Sequence, residues 1–224
     1  MNAALPSTRR VPQAPLALAL SLALACGWPV VLSTFGKDDV YAYVGPYAIV
    51  VIIAAISMRR LGALPGAVTP VVRAPSRVQS ALIGLIVGLV MTVGTYLAYA
   101  VCARLFPALE PHVAGLYSDS RTEHIALAIG WTLVILAAEE LLWRGALFGA
   151  TERRFGRNAA ISLSLLTYTA AQAGSKSGIV VLAALVCGAI WTAERVLTRS
   201  LVAPLISHTM WTITVIHVYP VTHH

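Results

Sequence analysis

Glu139, Glu140 and Arg144 are three ionisable residues inside an apolar run that reaches from Ile125 to Ala150. At about 1.5 Å per residue, a helix of that length crosses a bilayer. Charges at such depth are costly; they face a protein interior, pair with one another or mark a functional path. Glu140 and Arg144 stand four apart, so they share a helix face and are expected to form an ion pair. Glu139 lies about 100° round from Glu140 and cannot share that cation equally well. One carboxylate thus has an obvious structural partner and the other does not. The bland alternative is that all three serve as glue between helices.

Four more polar residues fall inside apolar segments. His208 and Thr212 are one helical turn apart, as are Tyr168 and Gln172. A carboxylate beside an imidazole, away from bulk water, can hold a water molecule and deprotonate it for attack on a carbonyl. The amide of Gln172 and the hydroxyls of Tyr168 and Thr212 would then orient that water or donate to the oxyanion. Each residue also has a plain structural role open to it. A span histidine is often hydrogen-bonded packing, and a span threonine often bonds its own backbone.

The elements that must position these groups are helices. Apolar runs predict spans at 14–35, 41–58, 78–102, 125–150, 158–174, 178–197 and 200–219. The first resembles a signal peptide with its Arg9-Arg10 start. Its apolar stretch continues through Pro29 and Val31, which favours an uncleaved helix over a cleaved leader. Leu61 to Arg77 is a Pro- and Gly-rich linker, and Arg104 to His124 reads as a loop. Gly84-Leu-Ile-Val-Gly88 has the GxxxG spacing that permits close helix contact. Glu194 and Arg195, near the end of the sixth span, read as interface markers. His217, His223 and His224 lie near the outer end of the last span, and the final two are expected to be solvated.

Basic residues orient the seven spans. With the N-terminus inside, inner segments hold Arg9, Arg10, Arg59, Arg60, Arg73, Arg77, Arg153, Arg154, Arg157, Arg195 and Arg199. Outer segments hold Lys37, Arg104, Arg121 and Lys176, so the count is eleven against four. Helix rise then puts Glu139 roughly 14 Å and His208 roughly 12 Å from the cytoplasmic side, with Gln172 roughly 21 Å deep. Glu139, His208 and Thr212 fall in the same half of the membrane and are expected to line one cavity.

Composition agrees. Of 224 residues 58% are hydrophobic and 11% charged, against about 25% charged in soluble domains. The net charge of +7 is spread over loops. It therefore reads as a topology signal and not as a nucleic-acid surface. Cys26, Cys102 and Cys187 are far apart without ligand spacing, so neither a disulfide framework nor a thiolate metal site is expected. Paired broken repeats, which would suggest a transporter, are absent.

Glu139-Glu-Leu-Leu-Trp-Arg144-Gly resembles the EExxxR motif of the CPBP family, the CAAX-protease and bacteriocin-processing (Abi) intramembrane proteases. The resemblance runs from about Ala137 to Thr212. That family has FxxxH in the next span and HxxxN in the last. Here Tyr168-Thr-Ala-Ala-Gln172 stands at the second motif, and His208-Thr-Met-Trp-Thr212 matches the third with Thr for Asn. The resemblance implies that Glu139 activates water, that Glu140 and Arg144 hold the site together, and that His208 is a second water-holding or oxyanion group. Gln172 and Thr212 replace the family's His and Asn. Glutamine is no base and a poor zinc ligand, so a metal-free hydrolysis without cofactor is expected and zinc is disfavoured.

The expected protein is an all-α polytopic membrane bundle of about seven transmembrane helices. It has a cytoplasmic tail (1–13), N-terminal spans and loops (14–124), a catalytic core (125–219) and a short C-terminal tail (220–224). It would sit in a bacterial inner membrane with its N-terminus inside, and its partners would be the lipid bilayer and a membrane peptide or protein substrate. The family's substrates include prenylated C-termini, bacteriocin leaders and sorting signals, and all stay open here. Two other functions compete with an endopeptidase. One is a catalytically inactive relative serving as an immunity or interaction factor. The other is an exosortase-like transpeptidase using Cys187 and His208, for which no feature is as specific as EExxxR.

Overall fold

The computed structural model describes residues 14–34, 40–60, 74–120 and 124–222. Arg9, Arg10, Lys37, Arg73, Arg121, His223, His224 and most of the 61–77 linker lie outside these residues. The described chain is helical throughout: α1 (Ala14–Thr34), α2 (Val40–Arg60), α3 (Arg77–Leu105) and α4 (Leu109–Ser120) lead into α5 (Ile125–Glu139). A π-helical segment, Glu140–Leu147, joins α5 to α6 (Phe148–Phe155) without a break. Then follow α7 (Arg157–Ala171), a 3₁₀ turn (Gln172–Ser175), α8 (Gly178–Thr198) and α9 (Val202–Thr212), which continues as a second π segment, Ile213–Val218.

A helix forms in each of the seven predicted places. Among the described residues five are long and apolar enough to cross a membrane: Pro15–Ser33, Tyr41–Arg60, Arg77–Leu105, Ile125–Phe155 and Gly178–Thr198. The predicted fifth and seventh spans are shorter. The apolar run from Asn158 to Gly174 includes the 3₁₀ turn, so α7 has only 15 residues. The run from Ser200 to Tyr219 yields the shorter apolar helix Val202–Val218. The predicted loop between Arg104 and His124 instead contains α4, which starts after the Pro107 turn and carries Pro111 in its first turn, where proline is tolerated.

The bundle keeps an apolar core and also turns apolar side chains outward. α3 buries Ser80, Gly84, Gly88, Met91 and Thr92 while exposing Leu82, Leu85, Ile86, Leu89 and Val90. Small and weakly polar residues pack against protein and the apolar face points outward, as expected where lipid is the solvent. A Ser76–Gln79 capping box starts this helix, with Gln79 Oε1 accepting from Ser76 N–H at 2.8 Å. The GxxxG spacing serves as predicted. A Cβ on Gly84 would meet the Ala203 carbonyl at 2.5 Å, and one on Gly88 would meet Ser207 Cα at 3.1 Å. Thus α3 lies tight behind α9 and fixes the helix that carries His208. On the other side α2 packs on α5, and α7 packs between α6 and α8. Trp28, Trp143, Tyr168 and Trp191 fill the centre with edge-to-face rings.

Candidate functional site

Glu139 is the last residue of α5, and Glu140 and Arg144 sit in the π segment that follows. The widened turn shows in the Phe148 N–H bond to the Trp143 carbonyl, five residues back. Carbonyls in this segment take side-chain donors from neighbouring helices. Ser164 donates to Trp143 O at 2.9 Å, and Arg195 Nε donates to Arg144 O at 2.9 Å. Helices α7 and α8 therefore clamp the acidic segment from two sides.

The predicted Glu140–Arg144 pair forms. Arg144 Nη1 lies 3.2 Å from Glu140 Oε1, and both side chains are fully buried. Arg144 Nη2 donates to Gly188 O at 3.2 Å, and its guanidinium lies 4.2 Å from the centre of the Tyr168 ring. A Cβ on Gly188 would meet Tyr168 Cδ1 at 2.9 Å and Arg144 Nη2 at 3.2 Å, so only glycine lets α8 approach this closely.

Glu140 has a second partner that residue spacing does not reveal. Its Oε1 lies 2.9 Å from His208 Nδ1. A carboxylate paired with Arg144 only accepts hydrogen bonds, so Nδ1 carries the ring proton and Nε2 presents a lone pair. That lone pair faces Glu139, with Nε2 3.7 Å from Oε2. The ring is also fixed by Trp191, stacked on it at 3.5 Å between centroids and 22° between planes. A tryptophan in an apolar span carries no distinguishing sequence signal, so Trp191 was not among the expected site residues.

Glu139 is held by α7 and the turn after it. Gln172 Nε2 donates to Oε1 at 2.9 Å, and Tyr168 Oη donates to Oε2 at 3.3 Å. This corrects the expected division of labour: the Gln172 amide and Tyr168 hydroxyl serve the carboxylate itself. Thr212 differs. Its hydroxyl is buried and has no hydrogen-bond partner among the described residues, not even its own backbone. Glu139, Tyr168, Gln172, His208 and Thr212 line one cavity of about 340 Å³. The rest of its wall is mostly apolar, including Trp28, Leu136, Ala184 and Trp211. Glu140 and Arg144 stand behind that wall. All seven predicted residues thus come together, five facing the cavity and two supporting it.

Two expectations need correction. Glu194 is no interface marker: it is buried at 3% exposure and accepts a hydrogen bond from the Ser207 hydroxyl. Arg195 likewise points inward, to the Arg144 carbonyl. Among the described residues no three His, Cys, Asp or Glu side chains are grouped to hold a metal ion. Gln172 turns its amide nitrogen to Glu139, so it adds no ligand to the Glu139–His208 pair.

Chemically, the arrangement offers a carboxylate with one oxygen restrained by an amide. Beside its other oxygen are an imidazole lone pair and the Tyr168 hydroxyl, and the unpartnered Thr212 hydroxyl belongs to a residue lining the same apolar cavity. A water within about 2.8 Å of both Glu139 Oε2 and His208 Nε2 fits a 3.7 Å separation. Residues 121–214 match the family model of the type II CAAX prenyl endopeptidases, Rce1-like, a range that contains all seven residues. The resemblance carried by the EExxxR stretch holds over this segment. No curated protein and no solved structure matches the chain.

Proposed function

We propose that this chain, similar over residues 121–214 to the CAAX prenyl endopeptidases, is an intramembrane endopeptidase that cleaves with a water activated by Glu139. The observation that supports this most is the placement of Glu139 Oε2 against His208 Nε2 at an apolar cavity. Glu139 takes a proton from the water that His208 Nε2 orients, and the hydroxide adds to the peptide carbonyl carbon. The Thr212 hydroxyl donates to the oxyanion as it forms. Glu139 then returns the proton to the departing amine as the C–N bond breaks. Glu140 keeps His208 in the required tautomer, the role a buried carboxylate plays in other imidazole sites. Arg144 keeps Glu140 ionised and in place. Every proton in this cycle is carried by the chain's own side chains and the substrate water, so the scheme needs no metal or cofactor.

The catalytic unit on this account is 125–219, with 14–124 packing around it. The substrate is a membrane-associated peptide or protein C-terminus. The prenylated class is the first to test, because it is the one named by the matching family. The basic residues favour an orientation with the N-terminus inside, and a bacterial inner membrane is the proposed location. An inactive relative acting as an immunity or interaction factor is the second reading. The observation for it is Gln172, which holds Glu139 by an amide where the family has histidine.

Cys187 also faces the cavity, which brings the thiol alternative to a test. It makes no hydrogen bond to His208 among the described residues, and the His208 nitrogens are directed to Glu140 and Glu139. Purified full-length protein in proteoliposomes, given a farnesylated peptide, is expected to cleave equally well with Cys187→Ala. Loss of cleavage in Cys187→Ala with unchanged thermal stability would instead assign the reaction to the thiol.

A further inference from the structure

The cavity has a second polar end that the mechanism does not use. Thr132 Oγ1 and His217 Nε2 are 2.9 Å apart, and both residues line the wall. Thr132 is seven residues before Glu139, so the two lie on one face of α5, two turns and roughly 10 Å apart. Ile135 and Leu136 line the wall between them. His217 reaches the cavity because of local helix geometry. Nine residues of unbroken α-helix would set it about 180° from His208. The π segment Ile213–Val218, marked by Tyr219 N–H bonding to Thr214 O at 2.8 Å, turns it part of the way back towards Thr212.

From this geometry we infer that Thr132 and His217 form a substrate-anchoring site that donates a hydrogen bond to a peptide oxygen about three residues from the bond at Glu139. The inference rests on the endopeptidase reading for the peptide's identity, but not for the site's chemistry. If the imidazole carries its proton on Nε2, it donates to Thr132 and the threonine O–H is spare. If the proton is on Nδ1, Thr132 donates to Nε2 and Nδ1–H is spare. Either tautomer leaves one donor without a partner in the pair. No other hydrogen bond engages either side chain among the described residues. About 10 Å corresponds to three residues of extended peptide. A chain spanning the two polar ends would lay its intervening side chains on apolar wall. The oxygen is either a main-chain carbonyl or a terminal carboxylate; both are acceptors, and both suit a neutral donor.

The test uses the full-length Glu139→Gln protein in detergent, so that binding is read without turnover. The probes are a farnesylated peptide with a free C-terminal carboxylate and its C-terminal amide. Thr132→Val, nearly equal in shape, and His217→Leu are each expected to weaken binding about 3–10-fold. His217→Gln keeps a donor and an acceptor and is expected to recover most of the loss. If the parent prefers the acid and the variants erase that preference, the anchored oxygen is the carboxylate. If acid and amide bind alike and both weaken in the variants, it is a main-chain carbonyl. The inference is overturned if Thr132→Val and His217→Leu bind both peptides with the parent Kd. Cleavage by the parental wild-type chain is measured beside this. Unchanged Kd values with intact cleavage would sink the anchor alone. Anchored binding without any wild-type cleavage would sink the protease reading alone.

Discussion

Glu139→Gln is expected to lower the rate of peptide cleavage by about 10²–10⁴-fold while leaving yield and thermal stability near wild type. The size follows from losing a positioned general base. The mildness for folding follows from its partners. Oε1 accepts from Gln172 and Oε2 accepts from Tyr168, and a glutamine side chain still fits this space. No salt bridge to a permanent cation is broken, because Arg144 is paired with Glu140. The measurement is a rate on a membrane peptide beside a thermal melt in detergent. A variant that cleaves at the wild-type rate would place the chemistry elsewhere. A variant that fails to fold would make Glu139 a structural residue.

Arg144→Ala is expected to do the opposite: to destabilise the fold by about 3–5 kcal/mol, the range for removing one partner of a buried ion pair. Both charged side chains are buried, with Arg144 at 0% and Glu140 at 1% exposure. Deleting the guanidinium leaves the Glu140 carboxylate with only His208, strips the donor from Gly188 O and removes the cation packed on Tyr168. Arg144→Lys should restore only part of the loss. One ammonium cannot serve Glu140 and Gly188 in the fixed fork geometry that arginine offers. Folded yield and melting temperature against Glu139→Ala check this. A melting temperature for Arg144→Ala equal to that of wild type would remove the pair from the account.

Much of the framework was legible in the sequence because one physical effect governs it. Uninterrupted apolar runs form helices wherever backbone groups must be satisfied internally, and each run here became one. The Glu140–Arg144 pair followed from four-residue spacing, and the nearness of Glu139 to His208 followed from depth. What spacing cannot show is register between helices. His208 meets Glu140 as well as Glu139 on a helix that α3 packs against closely at Gly84 and Gly88. The two π segments were hidden for the same reason. Their carbonyls take donors that are distant in sequence: Ser164 and Arg195 in the first segment, and the Tyr117 hydroxyl at Val215 O in the second. Glu194 looked interfacial because charges near helix ends usually are. Its burial depends on Ser207, which lies on the next helix.

Glu139 and His208 are expected to hydrolyse a peptide with Gln172, and not histidine, holding Oε1 of Glu139 on the side away from His208. The most direct measurement incubates farnesylated peptide with proteoliposomes of wild type, Glu139→Gln and Gln172→His, and reads the products by mass spectrometry. Wild type is expected to cleave the peptide, and Glu139→Gln to leave it intact. Intact peptide with wild type beside cleavage by Gln172→His would instead make the natural chain an inactive relative.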